Sequence, residues 1–161
     1  MPEKVAVYPG TFDPITLGHV SVVKRALIVF EKLIIAVAKD TQKNTFFSFE
    51  ERFEMLKEVF SDEPRVEVMK FEGLLIDFMK RIGAKVILRG LRTVSDFEYE
   101  FQMALTNRKL DNSIETIFIM AEEQVSYFSS SLVREIAKLG GDISLLVPQP
   151  VIKWFERKLK R

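Results

Sequence analysis

Five short apolar runs, spaced along the chain by stretches of helical period, limit its possible folds more than any other feature. Residues 5–8, 33–38, 66–69, 86–88 and 116–120 are too uniformly apolar for strands that keep one face in water. Between them apolar side chains return every three or four residues, as in Val20, Val23, Leu27 and Phe30, then Phe49, Phe53, Leu56 and Phe60. A strand buried on both sides needs cover on both sides, and strands that alternate with helices run parallel. The expected class is α/β: a doubly wound, five-stranded parallel sheet with helices on both faces. Because 47% of the 161 residues are hydrophobic, one sizeable core can form, and residues 1–161 are expected to make a single domain.

Helix boundaries follow from caps. Ser48 with Glu51 and Ser95 with Glu98 fit capping boxes, the second leading into Phe97, Phe101, Ala104 and Leu105. A helix over 74–82 should stop at Gly83, helices over 130–139 and 151–159 should follow, and Gly140-Gly141-Asp142 reads as a turn. Phe46, Phe47, Trp154 and Phe155 suit either the core or contacts between chains. The 24 basic and 23 acidic side chains nearly cancel, so a nucleic-acid partner is not expected and any anion site must be local. Zero cysteines exclude disulfides and thiolate chemistry. Met1-Pro2-Glu3-Lys4 leads into the first strand with no signal peptide expected, and no apolar run is long enough for a membrane span. A soluble, cytoplasmic protein is the expectation.

Open α/β sheets bind ligands beyond the carboxyl ends of their strands, and the polar motifs fall there. After the first strand, Pro9 and Gly10 are expected to break the chain, and Gly10-Thr11-Phe12-Asp13-Pro14-Ile15-Thr16-Leu17-Gly18-His19 opens a helix. Glycines there let backbone approach an anion, and free N–H groups at a helix start attract one. His19, the only histidine, can aim a ring N–H at the same point. After the second strand, Lys43 stands in a polar loop over 39–45. After the fourth, Arg89-Gly90-Leu91-Arg92 offers two guanidinium forks with a glycine for a tight turn, and the next helix can hold Glu100 towards a sugar or base. After the fifth, Val125, Ser126, Tyr127 and Phe128 precede Ser129-Ser130-Ser131 at a helix start, where hydroxyls and N–H groups suit a polyphosphate. The aromatics could flank a purine or belong to the core.

The first motif, with Thr16-Leu17-Gly18-His19, resembles the signature of the nucleotidylyltransferase superfamily, whose members share a Rossmann-like fold. Thr16 replaces the histidine that other members carry first, so chemistry that needs two histidines is excluded. Taken together, Tyr8 to Thr16, Arg89-Gly90-Leu91-Arg92 with Asp96-Phe97-Glu98-Tyr99-Glu100, and Ser129-Ser130-Ser131-Leu132-Val133 resemble the bacterial phosphopantetheine adenylyltransferase family over nearly the whole chain.

That resemblance implies transfer of AMP from ATP to 4′-phosphopantetheine, giving dephospho-coenzyme A and pyrophosphate. It implies catalytic roles for His19, as transition-state stabiliser, and for Lys43 and Arg92. It assigns Thr11, Lys43, Leu75 and Arg89 to phosphopantetheine. Thr11, Phe12, His19, Gly90, Leu91, Arg92, Glu100, Val125, Ser126, Tyr127, Phe128, Ser129, Ser130 and Ser131 fall to ATP. The family uses Mg2+, here expected to ride mainly on ATP phosphates, with no metal-ligating residue in the chain. It also implies a homohexamer restrained by coenzyme A. A related enzyme using CTP or another acceptor, and a nucleotide-binding module without turnover, are the competing expectations.

Overall fold

The computed structural model describes residues 3–39, 41 and 44–160. Five parallel strands, β1 Val5–Gly10, β2 Lys32–Ala38, β3 Val66–Phe71, β4 Val86–Leu91 and β5 Glu115–Met120, form one sheet in the order β3-β2-β1-β4-β5. This is the expected class. The helices are α1 Leu17–Val29, α2 Phe49–Val59, α3 Leu75–Ile82, α4 Val94–Leu110, α5 Glu123–Ser126, α6 Ser130–Lys138 and α7 Gln149–Leu159.

Alternation along the strands divides the core in two. Ala6, Tyr8, Leu33, Ile35, Val37 and Leu88 point towards α1, α2, α6 and α7. Val7, Ile34, Ala36 and Ile87 point the other way, towards Ile76, Phe78 and Met79 of α3. Phe47 and Phe155 are buried in the first core, with Phe46 stacked on Phe155 at a centroid distance of 5.5 Å, so these rings are core within one chain.

Two expectations are corrected at the strand ends. Pro9 and Gly10 do not break β1, because they continue it opposite Ala36 and Val37. Likewise Arg89, Gly90 and Leu91 remain in β4, paired with Phe118, Ile119 and Met120. Gly90 is therefore a site of close packing: a Cβ there would come within 2.9 Å of Val22 Cγ2 on α1.

The caps are mostly as expected. Ser48 and Glu51 form a reciprocal capping box, and Gly83 closes α3 in the left-handed region at φ 73°. Helix α4 differs, since its cap is Thr93, whose hydroxyl accepts the Asp96 N–H two residues ahead of the expected pair. Its apolar residues also fail to form a buried face. Phe97, Tyr99, Phe101 and Leu105 are all exposed, and Glu100 is the buried one among the helix's described side chains.

Candidate active site

Strand order reverses between β1 and β4, and a cavity of about 610 Å³ opens over the carboxyl ends of this pair. Its walls come from the β1–α1 turn, the start of α1, the end of β4, the α4 face carrying Tyr99 and Glu100, and the serines at the start of α6.

At the start of α1 the Thr16-Leu17-Gly18-His19 motif works as a capping box. The His19 backbone N–H donates to Thr16 Oγ1 at 3.4 Å, and the Thr16 N–H donates to His19 Nδ1 at 2.9 Å. Histidine thus takes the place glutamate usually fills. Because Nδ1 accepts, the neutral ring carries its proton on Nε2. Burial, then Arg89 and Arg92, hold the His19 pKa down to about 4. At neutral pH this is an uncharged ring with a fixed Nε2–H donor. Gly18 next to it is sterically required, since a Cβ would lie 2.8 Å from the Val125 carbonyl oxygen.

Buried charges hold the turn before the helix. The Asp13 carboxylate accepts the Phe46 and Phe47 N–H groups, each at 2.8 Å. Arg52, 2% exposed, donates from Nη1 to the carbonyls of Thr11 at 2.8 Å and Ala38 at 2.9 Å, and from Nε to that of Phe47 at 3.2 Å. Arg134 on α6 donates to the Asp13 carbonyl at 2.6 Å, and Ser130 Oγ donates to that of Pro14 at 2.7 Å. The β1–α1 turn is thereby tied to the segment after β2 and to α6. None of Asp13, Arg52 and Arg134 was singled out from sequence. One signal was available: Arg52, Met55, Leu56 and Val59 share a helical stripe, so an arginine stands in the apolar face of α2.

Across the sheet, Arg89 lies in a fork. Its Nε and Nη2 donate to the two oxygens of Glu100 at 2.7 and 2.8 Å, and its Nη1 donates to the Pro9 carbonyl at 2.7 Å. Burial opposes the charge on Arg89, but Glu100 outweighs it and raises the arginine's pKa. The carboxylate expected to face a sugar or base thus has both oxygens engaged by Arg89. Arg92 pairs with Asp96 at 3.3 Å.

The cavity brings together Thr11, Phe12, His19, Arg89, Gly90, Leu91, Arg92, Glu100, Phe128, Ser129, Ser130 and Ser131. Phe12 and Phe128 line it as largely buried rings, 4% and 2% exposed. Ser129 caps α6 by accepting the Leu132 N–H, whereas Ser130 donates to the Pro14 carbonyl. Leu75, Val125, Ser126 and Tyr127 do not line the cavity. Leu75 packs on the α3 core instead, and Val125 and Ser126 belong to the separate one-turn helix α5. Lys43 lies outside the described residues, while Thr41, Asn44 and Thr45 on either side of it line the cavity. Among the described residues no group of three or more His, Asp or Glu side chains could hold a metal ion.

Residues 7–136 match the cytidylyltransferase-like family. A phosphopantetheine adenylyltransferase of Geotalea daltonii is 52% identical over 161 residues, covering the whole of both chains. One from Clostridium botulinum strain Alaska E43 is 55% identical over 157 residues, 98% of this chain and 99% of its own. Among solved structures, a bifunctional NMN adenylyltransferase/ADP ribose pyrophosphatase from Francisella tularensis superposes with a TM-score of 0.76 at 14% identity. It covers 99% of this chain and 51% of its own, and this likeness concerns the fold alone. With its sheet order, its glycine and histidine turn and full-length identity above one half to such relatives, the chain belongs to the phosphopantetheine adenylyltransferase family of nucleotidyltransferases.

Proposed function

We propose that this chain transfers the adenylyl group of ATP to 4′-phosphopantetheine, forming dephospho-coenzyme A and pyrophosphate in coenzyme A biosynthesis, in a cytoplasmic setting. The observation that carries this reading is the neutral His19 Nε2–H donor at the α1 start, facing Arg89 and Arg92 across one cavity.

A phosphate monoester has a second pKa of about 6, so the acceptor is largely a dianion at neutral pH and attacks without a general base. Its attacking oxygen bonds to the α-phosphorus of ATP as the bond to the β-phosphate oxygen breaks, and pyrophosphate leaves with the bonding pair. The obstacle is repulsion between anions, roughly 4 kcal/mol per pair of unit charges 4 Å apart at an effective dielectric near 20. Arg89, with Lys43, offsets it on the acceptor side. Arg92, the N–H groups at the start of α1 and the serines at the start of α6 do so along the triphosphate. His19 supplies a hydrogen bond to charge that grows in the transition state. It keeps its proton, and no covalent enzyme intermediate forms. Glu100 orients Arg89 within the nucleotide and acceptor site.

Magnesium, when bound, neutralises the triphosphate. The residues present fit a cation held mainly by ATP oxygens and water, because the cavity's carboxylates are engaged: Asp13 by the Phe46 and Phe47 N–H groups, Asp96 by Arg92 and Glu100 by Arg89. Among the described residues no helix is long and apolar enough to cross a membrane. The exposed Phe97, Tyr99, Phe101 and Leu105 on α4 support assembly with further copies, as a homohexamer. Coenzyme A, which shares the pantetheine arm and the adenine nucleotide of the reactants, is the proposed feedback inhibitor.

The test is incubation with Mg2+, ATP and 4′-phosphopantetheine, with dephospho-coenzyme A followed by mass spectrometry, pyrophosphate release measured in parallel and CTP as control. Product with ATP and none with CTP is expected. Folded protein that binds ATP yet forms no dephospho-coenzyme A overturns the reading.

A further inference from the structure

One polar group in the cavity has no role in that mechanism. Tyr8 lies on the α1 side of β1, 4% exposed, with its ring edge-on to Phe12 at 5.4 Å and tilted against His19 at 6.3 Å between centroids. Its hydroxyl sits beside the bare backbone of Gly90, where a Cβ would come within 3.5 Å of it. The side chain lines the cavity. Among the described residues, nothing donates to the hydroxyl or accepts from it.

The hydroxyl is not among the fully enclosed polar atoms that lack a partner, so it opens on the cavity, where water or a ligand atom that displaces the water completes its hydrogen bonding. A phenyl ring would make the same contacts with Phe12 and His19, so packing alone does not call for the hydroxyl. The local field suggests the missing partner. Burial raises the phenol's pKa, so the group is a proton donor at every working pH. Arg89 acts on it as a nearby positive charge, its partner Glu100 opposes that, and Arg92 adds a second positive charge. A neutral donor close to two guanidinium groups, next to a second neutral donor on His19, matches an anionic oxygen.

We propose that the Tyr8 hydroxyl donates a hydrogen bond to a non-bridging oxygen of the phosphoryl group in transfer, alongside His19 Nε2. This rests on the adenylyl-transfer reading above. Tyr8 keeps its proton throughout, and the bonds made and broken at phosphorus are those already described. With two donors on the equatorial oxygens, the charge that builds there is shared between a phenol and an imidazole.

The experiment compares wild type and Tyr8→Phe in steady-state formation of dephospho-coenzyme A, with thermal melting to confirm an unchanged fold. The kcat is expected to fall about tenfold or more, with both KM values within about threefold of wild type. The penalty should shrink with one diastereomer of ATP carrying sulfur on the α-phosphate, a dependence that a purely structural role would not produce. A kcat within twofold of wild type overturns the proposal. Should Tyr8→Phe fail to fold, site-specific tetrafluorotyrosine at position 8 keeps the ring and lowers the phenol pKa by more than burial raises it. Activity must then fall as that phenol ionises, and an unaltered pH profile overturns the proposal. If wild type itself forms no product, the adenylyl-transfer reading fails and the proposal falls with it, whereas product from wild type with an unchanged kcat in Tyr8→Phe overturns the proposal alone.

Discussion

Replacing Arg52 with methionine tests whether one buried cation holds two ligand loops in place. Methionine fills much of the space of the arginine stem but donates nothing, so the Thr11, Ala38 and Phe47 carbonyls each lose a guanidinium N–H. A carbonyl has a second lone pair, which places each loss near the low end of the range for a buried unsatisfied group, about 1 kcal/mol. The sum is about 3 kcal/mol. Relief of the burial that lowers the Arg52 pKa offsets part of this. A net loss of about 2–3 kcal/mol remains, which for a chain of this size lowers the melting temperature by roughly 5–10 °C. Urea and thermal unfolding followed by circular dichroism measure it. Because the freed carbonyls belong to the β1–α1 turn and the segment after β2, the KM for phosphopantetheine should also rise in protein that is still folded. A variant melting within about 2 °C of wild type, with unchanged KM, would show that Arg52 is not the tie between these loops.

Four further outcomes follow from the same geometry. His19→Ala should lower kcat about a hundredfold or more through loss of a transition-state donor, and near-normal turnover would remove that role. Since the folded His19 pKa is about 4 against an ordinary 6.5, the unfolded chain takes up the proton first as pH falls. Stability that is full above about pH 6.5 should therefore decline towards pH 4, and His19→Gln, which leaves an acceptor for the Thr16 N–H, should flatten the slope seen in urea titrations at each pH. Gly18→Ala puts a methyl group 2.8 Å from the Val125 carbonyl, so it should destabilise by about 1–3 kcal/mol and weaken ATP binding in calorimetry. Arg89→Ala should weaken phosphopantetheine binding more than ATP binding, and equal losses would break the assignment.

The layered fold was readable in the sequence because runs such as 33–38 are apolar on both faces, a pattern that only a covered parallel sheet satisfies. His19 could be placed for a similar reason: a glycine and a histidine between a strand and a helix must lie at the helix start. Tertiary partners were harder to see. The helical period in Phe97, Phe101 and Leu105 pointed to a buried face, yet α4 packs on the sheet's edge and leaves those rings exposed. Glu100 looked available to a ligand because no local pattern reveals that Arg89, eleven residues earlier, takes both its oxygens. Arg52 and Asp13 bond to backbone groups 5 to 41 residues away, and backbone donors and acceptors carry no residue identity for a sequence pattern to expose.

The contact between the Thr16 N–H and His19 Nδ1 also bears on inhibitor chemistry. Folding has already decided which ring nitrogen keeps its lone pair, and that lone pair is spent inside the protein. An incoming compound therefore meets a hydrogen and never an open acceptor at this imidazole. Scaffolds that place an amide N–H or an ammonium there set proton against proton, whereas a carboxylate, sulfonamide oxygen or heteroaromatic nitrogen finds its complement. A compound series built around this point should rank by acceptor strength, and adding a donor at the same atom should reduce affinity however well the remainder of the scaffold fits.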